Sequence, residues 1–285
     1  MTLRDTSTAR RGRLLIIGGA ERHRTGGTAI LRRFVELAGG AQATLIVIAT
    51  ASSEPDVLEA EYAQVFRGFG AGAVVPLRLG TREQANSDEA IAVLESATGV
   101  FFTGGDQVRI TTVIGGTRCD SLLQSLVHER GVVLAGTSAG AAMMSGTMIV
   151  GGDQPGVTTA SVRTVPGLEF LPGVLIDMHF AERGRLNRLL SAVAQYPHEL
   201  GLGIDEDTAI LADGESFEVL GSGAVTVVDA GSAGVIRLPA DGTGPIALAG
   251  ARIHVLPAGH GFELTGRCPS IVDASAGNGE RGVVA

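Results

Sequence analysis

Two hydrophobic rhythms alternate along the first half of the chain. Short unbroken apolar runs occupy residues 14–17, 44–49, 73–77, 100–103 and 132–135. Between them lie segments with helical patterning, around residues 28–38, 55–70, 88–96 and 107–129. Continuous Val/Ile/Leu runs suit strands covered on both faces, and their alternation with helices implies right-handed βαβ units. The pattern predicts an α/β fold with an open, mostly parallel sheet flanked by helices. In such sheets sites form beyond the carboxyl ends of the strands. The informative loops are therefore residues 18–21, 50–53, 104–107 and the turn after Ala135, all small or polar.

After Gly151 the pattern changes. Residues 152–165 are Gly/Thr-rich and read as irregular, residues 171–178 form another apolar run, and residues 182–195 read as a helix. Short runs at 203–205, 208–212, 216–220 and 225–229 alternate with turn signals. They predict antiparallel strands in the C-terminal third, joined to the same sheet or packed beside it. No fixed-period repeat occurs. One domain is expected over 1–285, with its core over about 12–264 and a loose Gly/Ser/Ala-rich tail over 274–285.

Composition narrows the function classes. With 285 residues, 45% of them hydrophobic, the chain can bury a sizeable core. All 22 basic residues are arginine, which excludes any mechanism built on a catalytic or phosphate-binding lysine. A net charge of −8 argues against a general nucleic-acid binder. The two cysteines, Cys119 and Cys268, form neither a disulfide framework nor a metal-ligand pattern, and they fit a reducing compartment. Arg10-Arg11 precedes only four apolar residues, 14–17, which read as a strand and not as a signal segment. No run approaches the ~18 apolar residues that span a bilayer. A cytoplasmic protein with no membrane contact is expected.

The candidate chemistry centres on Gly136-Thr137-Ser138-Ala139-Gly140, which follows a strand and opens a small-residue helix. That context defines a nucleophile elbow, with the serine raised on a tight turn above the sheet. An ordinary Gly-rich βα turn is the plain alternative. A serine hydroxyl needs a base, and the base needs an orienting acid. Of six histidines, His179 closes the segment that begins with the apolar run 174–176 and so shares the strand-end edge with Ser138. Asp205, Glu206 and Asp207 follow a later apolar run, and spacing does not choose among them. The chain order Ser, His, acid differs from the Ser, acid, His order of ordinary α/β-hydrolases, which would pair Asp177 or Asp205 with His254 or His260. A nucleotide-binding reading of the Gly-Gly loops is disfavoured by Glu21, which stands where a phosphate would lie.

Several linked motifs sharpen this picture. Gly18-Gly19-Ala20-Glu21, Gly104-Gly105-Asp106-Gln107, the serine turn, Asp177-Met178-His179-Phe180, Arg183-Gly184-Arg185-Leu186 and Gly203-Ile204-Asp205-Glu206 occur in order over about residues 12–230. Together they resemble cyanophycinases, a serine-peptidase family grouped with aspartyl dipeptidases on a class-I-amidotransferase-like fold. The resemblance implies Ser138 as nucleophile, His179 as base and Glu206 as orienting acid. It also implies an oxyanion hole from backbone N–H groups near Gly105 or Asp106 and at Ala139. Gln107, Asp177, Arg185 and Arg188 match residues implied in substrate binding. The implied reaction is exopeptidase cleavage of cyanophycin, a poly-aspartate backbone carrying arginine, to β-Asp-Arg dipeptides through an acyl-enzyme. Hydrolysis of short Asp-X or isoaspartyl peptides is the alternative. No cofactor or metal is required, and a homodimer is implied. Arg22-His23-Arg24 departs from the acidic-basic pair expected after Gly-Gly-Ala-Glu, and the chain beyond about residue 264 carries no part of the resemblance.

Overall fold

The computed structural model describes residues 12–21, 25–152, 154–240, 242, 244–272 and 281–283. The first half is a run of βα units: β1 (Leu14–Ile17), α1 (Thr25–Leu37), β2 (Thr44–Ile48), α2 (Pro55–Gly68), β3 (Ala73–Pro76), α3 (Asp88–Glu95) and β4 (Gly99–Phe102). Helices α4 (Gln107–Ile114) and α5 (Arg118–His128) then precede β5 (Val133–Thr137) and the one-turn α6 (Ala139–Ala142). The single helical stretch expected over 107–129 is thus two helices. Gly115 and Gly116, the latter at φ 69°, end α4, and Thr117 Oγ1 accepts from Asp120 N to restart the helix as α5.

The second half adds β6 (Thr147–Gly151), β7 (Arg163–Pro166), β8 (Val174–Met178), α7 (Leu186–Gln195), β9 (Leu200–Ile204), β10 (Thr208–Ala212), β11 (Ser216–Gly221) and β12 (Ala224–Asp229). It closes with β13 (Val235–Arg237), β14 (Ala247–Ala249), β15 (Arg252–Pro257), β16 (Gly261–Glu263), β17 (Cys268–Val272) and β18 (Arg281–Val283). Two expectations change here. Part of the stretch read as irregular over 152–165 pairs, because β7 forms an antiparallel hairpin with β6. Within the segment read as a loose tail, Arg281–Val283 pairs with β17; residues 274–280 and 284–285 lie outside the described residues.

The main sheet runs β18-β17-β16-β11-β10-β1-β5-β4-β2-β3. From β1 to β3 every pairing is parallel, and β10 joins β1 antiparallel to begin the C-terminal extension. Strands β1, β4 and β5 are buried at every position, as covering on both faces requires. One face packs Phe34, Tyr62 and Phe66 of α1 and α2 onto Phe101, with tilted and edge-on ring contacts. The other packs Ile110, Leu123, Met143 and Met144 beneath α4 to α6.

A second sheet, β15-β12-β9-β8, contains the parallel pair β8 and β9. The antiparallel strands therefore take both expected routes, some extending the main sheet and some forming this neighbour. Gly18, just after β1, links the two sheets by accepting from His179 N at 2.9 Å. The carboxyl ends of β1, β5, β8 and β9 consequently meet at one edge.

Candidate active site

Ser138 follows β5 at φ 52° and ψ −107°, a backbone conformation that costs an L-residue about 1–3 kcal/mol. Close packing imposes it. A Cβ on Gly136 would lie 2.2 Å from Gly140 O, and one on Gly140 would lie 2.4 Å from Phe102 O. Both flanking glycines are thus required for backbone to touch backbone at the elbow.

Three consecutive residues of the β1 turn hold the rest of the site in place. Ile17 O accepts from Ser138 N at 3.0 Å, Gly18 O from His179 N at 2.9 Å and Gly19 O from Asp207 N at 2.8 Å. The imidazole also lies against Gly19, where a Cβ would come within 2.3 Å of His179 Cε1. This bracing role went unread in the sequence, although the Gly-Gly pair at a strand end was its visible signal.

The side chains then form one line. Ser138 Oγ lies 2.9 Å from His179 Nε2, and His179 Nδ1 lies 2.8 Å from Glu206 Oε1. The imidazole and carboxylate are mostly buried, at 13% and 22% side-chain exposure, so solvent screens their contact only in part. With the ring proton on Nδ1, Nε2 is free to accept from the serine hydroxyl. The neighbouring acids serve other contacts. Asp205 accepts from Ala181 N and Ala224 N, each at 3.1 Å, and burial raises its carboxyl above the usual range. Asp207 accepts from Ser222 Oγ at 2.6 Å. Only Glu206, among the three, reaches the ring.

The amides expected as oxyanion donors divide. Asp106 N donates to Ala51 O at 2.9 Å, so that amide is committed, and the Asp106 side chain caps α4 by accepting from Val108 N. This removes Asp106 from the expected donors. Among the described residues, Gly105 N and Ala139 N donate to no protein group. Gly105 and Ser138 line an open cleft of about 430 Å³, which His179, Glu21, Tyr62 and Glu54 also border.

The expected substrate-binding residues lie differently. Asp177 is fully buried and accepts from Arg188 Nε at 2.8 Å, from Arg188 Nη2, and from Arg185 Nη1 at 3.3 Å. Arg185 Nη1 also donates to Met178 O, next to His179. Arg188 of α7 and Arg185, the residue that precedes this helix, both turn inward onto Asp177, where a substrate-binding pair was expected. Gln107 Nε2 donates to Ile149 O at 2.8 Å. None of these four lines the cleft. His254, one of the two bases considered for the alternative triad, packs against Phe262, and burial lowers its pKa. Arg22, His23 and Arg24 lie outside the described residues.

A mixed α/β sheet presenting a Ser-His-Glu line at its strand ends defines a serine hydrolase. The model of peptidase family S51 matches residues 14–220. A cyanophycinase of Trichormus variabilis is 39% identical over 262 residues, 91% of this chain and 88% of that protein. A cyanophycinase of Geminocystis herdmanii is 38% identical over 88% of this chain and 92% of its own length. In fold, the chain is similar to the crystal structure of a peptidase from an acI-B1 Actinobacterium. That match has a TM-score of 0.67 at 20% identity and covers 90% of this chain and 98% of the other. The chain belongs to peptidase family S51 and is a serine peptidase.

Proposed function

We propose that this protein is an exopeptidase of the cyanophycinase type, releasing β-Asp-Arg dipeptides from cyanophycin. The observation that carries this reading is the continuous Ser138–His179–Glu206 hydrogen-bonded line, in a chain 39% identical to cyanophycinases over nine-tenths of its length. Ser138 Oγ attacks the scissile carbonyl while His179 Nε2 takes its proton, and Glu206 stabilises the imidazolium that forms. The carbonyl oxygen, now negative, enters the space served by Gly105 N and Ala139 N. His179 returns the proton to the leaving amine, leaving an acyl-enzyme. Water, deprotonated by the same imidazole, then releases the product.

Asp177, Arg185 and Arg188 act from behind the site. Their buried ion-pair cluster grips Met178 O and so fixes the segment that delivers His179. Gln107 ties α4 to β6 beside the Gly-Gly-Asp loop. The two unpaired thiols, Cys119 and Cys268, fit a cytoplasmic location. Among the described residues no helix is long and apolar enough to cross a membrane. Ile253 and Val255, two residues apart on edge strand β15, are 49% and 62% exposed and offer an apolar contact for a second copy. A homodimer through this edge is part of the proposal.

Incubation of the purified protein with cyanophycin granules, and separately with free Asp-X dipeptides, tests the reaction. Clearing of the granules with release of β-Asp-Arg is expected. Cleavage of the short dipeptides alone would contradict it.

A further inference from the structure

Glu21 is a carboxylate buried to 2% exposure on the wall of the cleft that contains Ser138. The mechanism above gives it no task. It is held from two sides: Tyr62 Oη donates to Oε1 at 2.5 Å, and Thr137 Oγ1 donates to Oε2 at 2.7 Å. Tyr62 and Thr137 are themselves buried, so two hydroxyl donors fix the carboxylate in position. An ionised carboxylate has about four lone-pair sites, and two hydroxyl donors use half of them. No arginine lines this cleft among the described residues; its charged lining, beside the His179 imidazole, is Glu21 and the exposed Glu54. Among the described residues the carboxylates of this lining have no cationic side chain beside them, and a cleft lined by carboxylates concentrates cationic ligands.

We propose that Glu21 determines specificity by receiving a cationic group of the substrate, while Tyr62 and Thr137 hold its carboxylate in place. This rests on the peptidase reading above. Two parts of an Asp-Arg peptide carry that charge, the arginine guanidinium and the free α-ammonium. Either would meet a carboxylate prearranged one residue from the elbow, since Thr137 precedes Ser138. A guanidinium can bond both carboxylate oxygens at once.

The test uses binding, so that it does not depend on turnover. The Ser138→Ala protein is titrated with β-Asp-Arg oligomers, with the same oligomers carrying neutral citrulline for arginine, and with N-acetylated oligomers. A preference of about tenfold or more for at least one cationic group over its neutral counterpart is expected. Adding Glu21→Gln should abolish that preference and leave affinity for the matching neutral ligand unchanged. The ligand whose advantage disappears identifies which cation Glu21 receives. Equal weakening of charged and neutral ligands, or a preference that survives Glu21→Gln, would overturn the proposal. If Glu21→Gln does not fold, Glu21→Asp, which retracts the charge by one methylene, should weaken the cationic ligand alone. Failure of the wild-type chain to hydrolyse any of these oligomers, with no binding by Ser138→Ala, would remove the peptidase substrate reading and this inference with it.

Discussion

Gly19 carries no reactive group, yet a methyl there would press into the His179 ring and require an L-residue at φ +113°. Gly19→Ala should lower kcat by about 10²-fold or more through displacement of the imidazole. Steady-state kinetics beside a circular dichroism spectrum would separate that from loss of fold. Glu206→Gln should lower kcat by on the order of 10³–10⁴-fold, because the amide no longer favours the correct ring tautomer and imidazolium. Asp207→Asn should leave kcat within a few fold (roughly the scale of one lost neutral contact), since Asp207 holds Ser222 and not the ring. The reverse ranking would assign the wrong acid. Ser138 and His179 were legible because each ends an apolar run, which fixes the edge of the sheet it occupies. The acid was not legible from spacing: three consecutive carboxylates in one turn point in different directions, and only tertiary placement selects among them. Nor did spacing reveal that Arg185 and Arg188 face inward, because their partner, Asp177, lies on a different element.

Among the elements, α7 and β8 are joined through charge. Among the described residues, removing Arg188 leaves a fully buried Asp177 with only the longer Arg185 contact, so Arg188→Ala should destabilise the fold by about 3–5 kcal/mol. Denaturant unfolding would measure it. Arg188→Lys should recover little, as an ammonium cannot reproduce the two-point contact. Strand β9 opens next to Glu199, whose Oε1 accepts from Thr147 Oγ1 at 2.6 Å. Burial raises the Glu199 carboxyl above its ordinary pKa. Between the unfolded and the raised folded pKa the folded state holds more protons, so this group's contribution falls as pH rises through that window. Glu199→Gln should therefore show a flatter decline in thermal midpoint from acidic to neutral pH than wild type. An unchanged slope would contradict this. The parallel half of the fold was readable because buried strands and amphipathic helices have distinct periods. The β6–β7 hairpin was obscured by its Gly/Thr-rich connection. Which sheet each late strand joins depends on long-range pairing that short alternating runs do not encode.

Across the whole molecule, two sheets are locked at one edge by the β1 turn, and the reacting groups stand where they meet. The apolar edge at Ile253 and Val255 predicts a dimer in sedimentation velocity, and Val255→Glu should shift it to monomer; a wild-type monomer would remove that interface. The central claim is that Ser138 is a nucleophile activated by His179 and Glu206. Labelling with a serine-directed fluorophosphonate, followed by peptide mass spectrometry, tests it most directly. The label should appear on Ser138 in the wild type and fall to background in His179→Ala. Labelling elsewhere, or Ser138 labelling undiminished in His179→Ala, would contradict it.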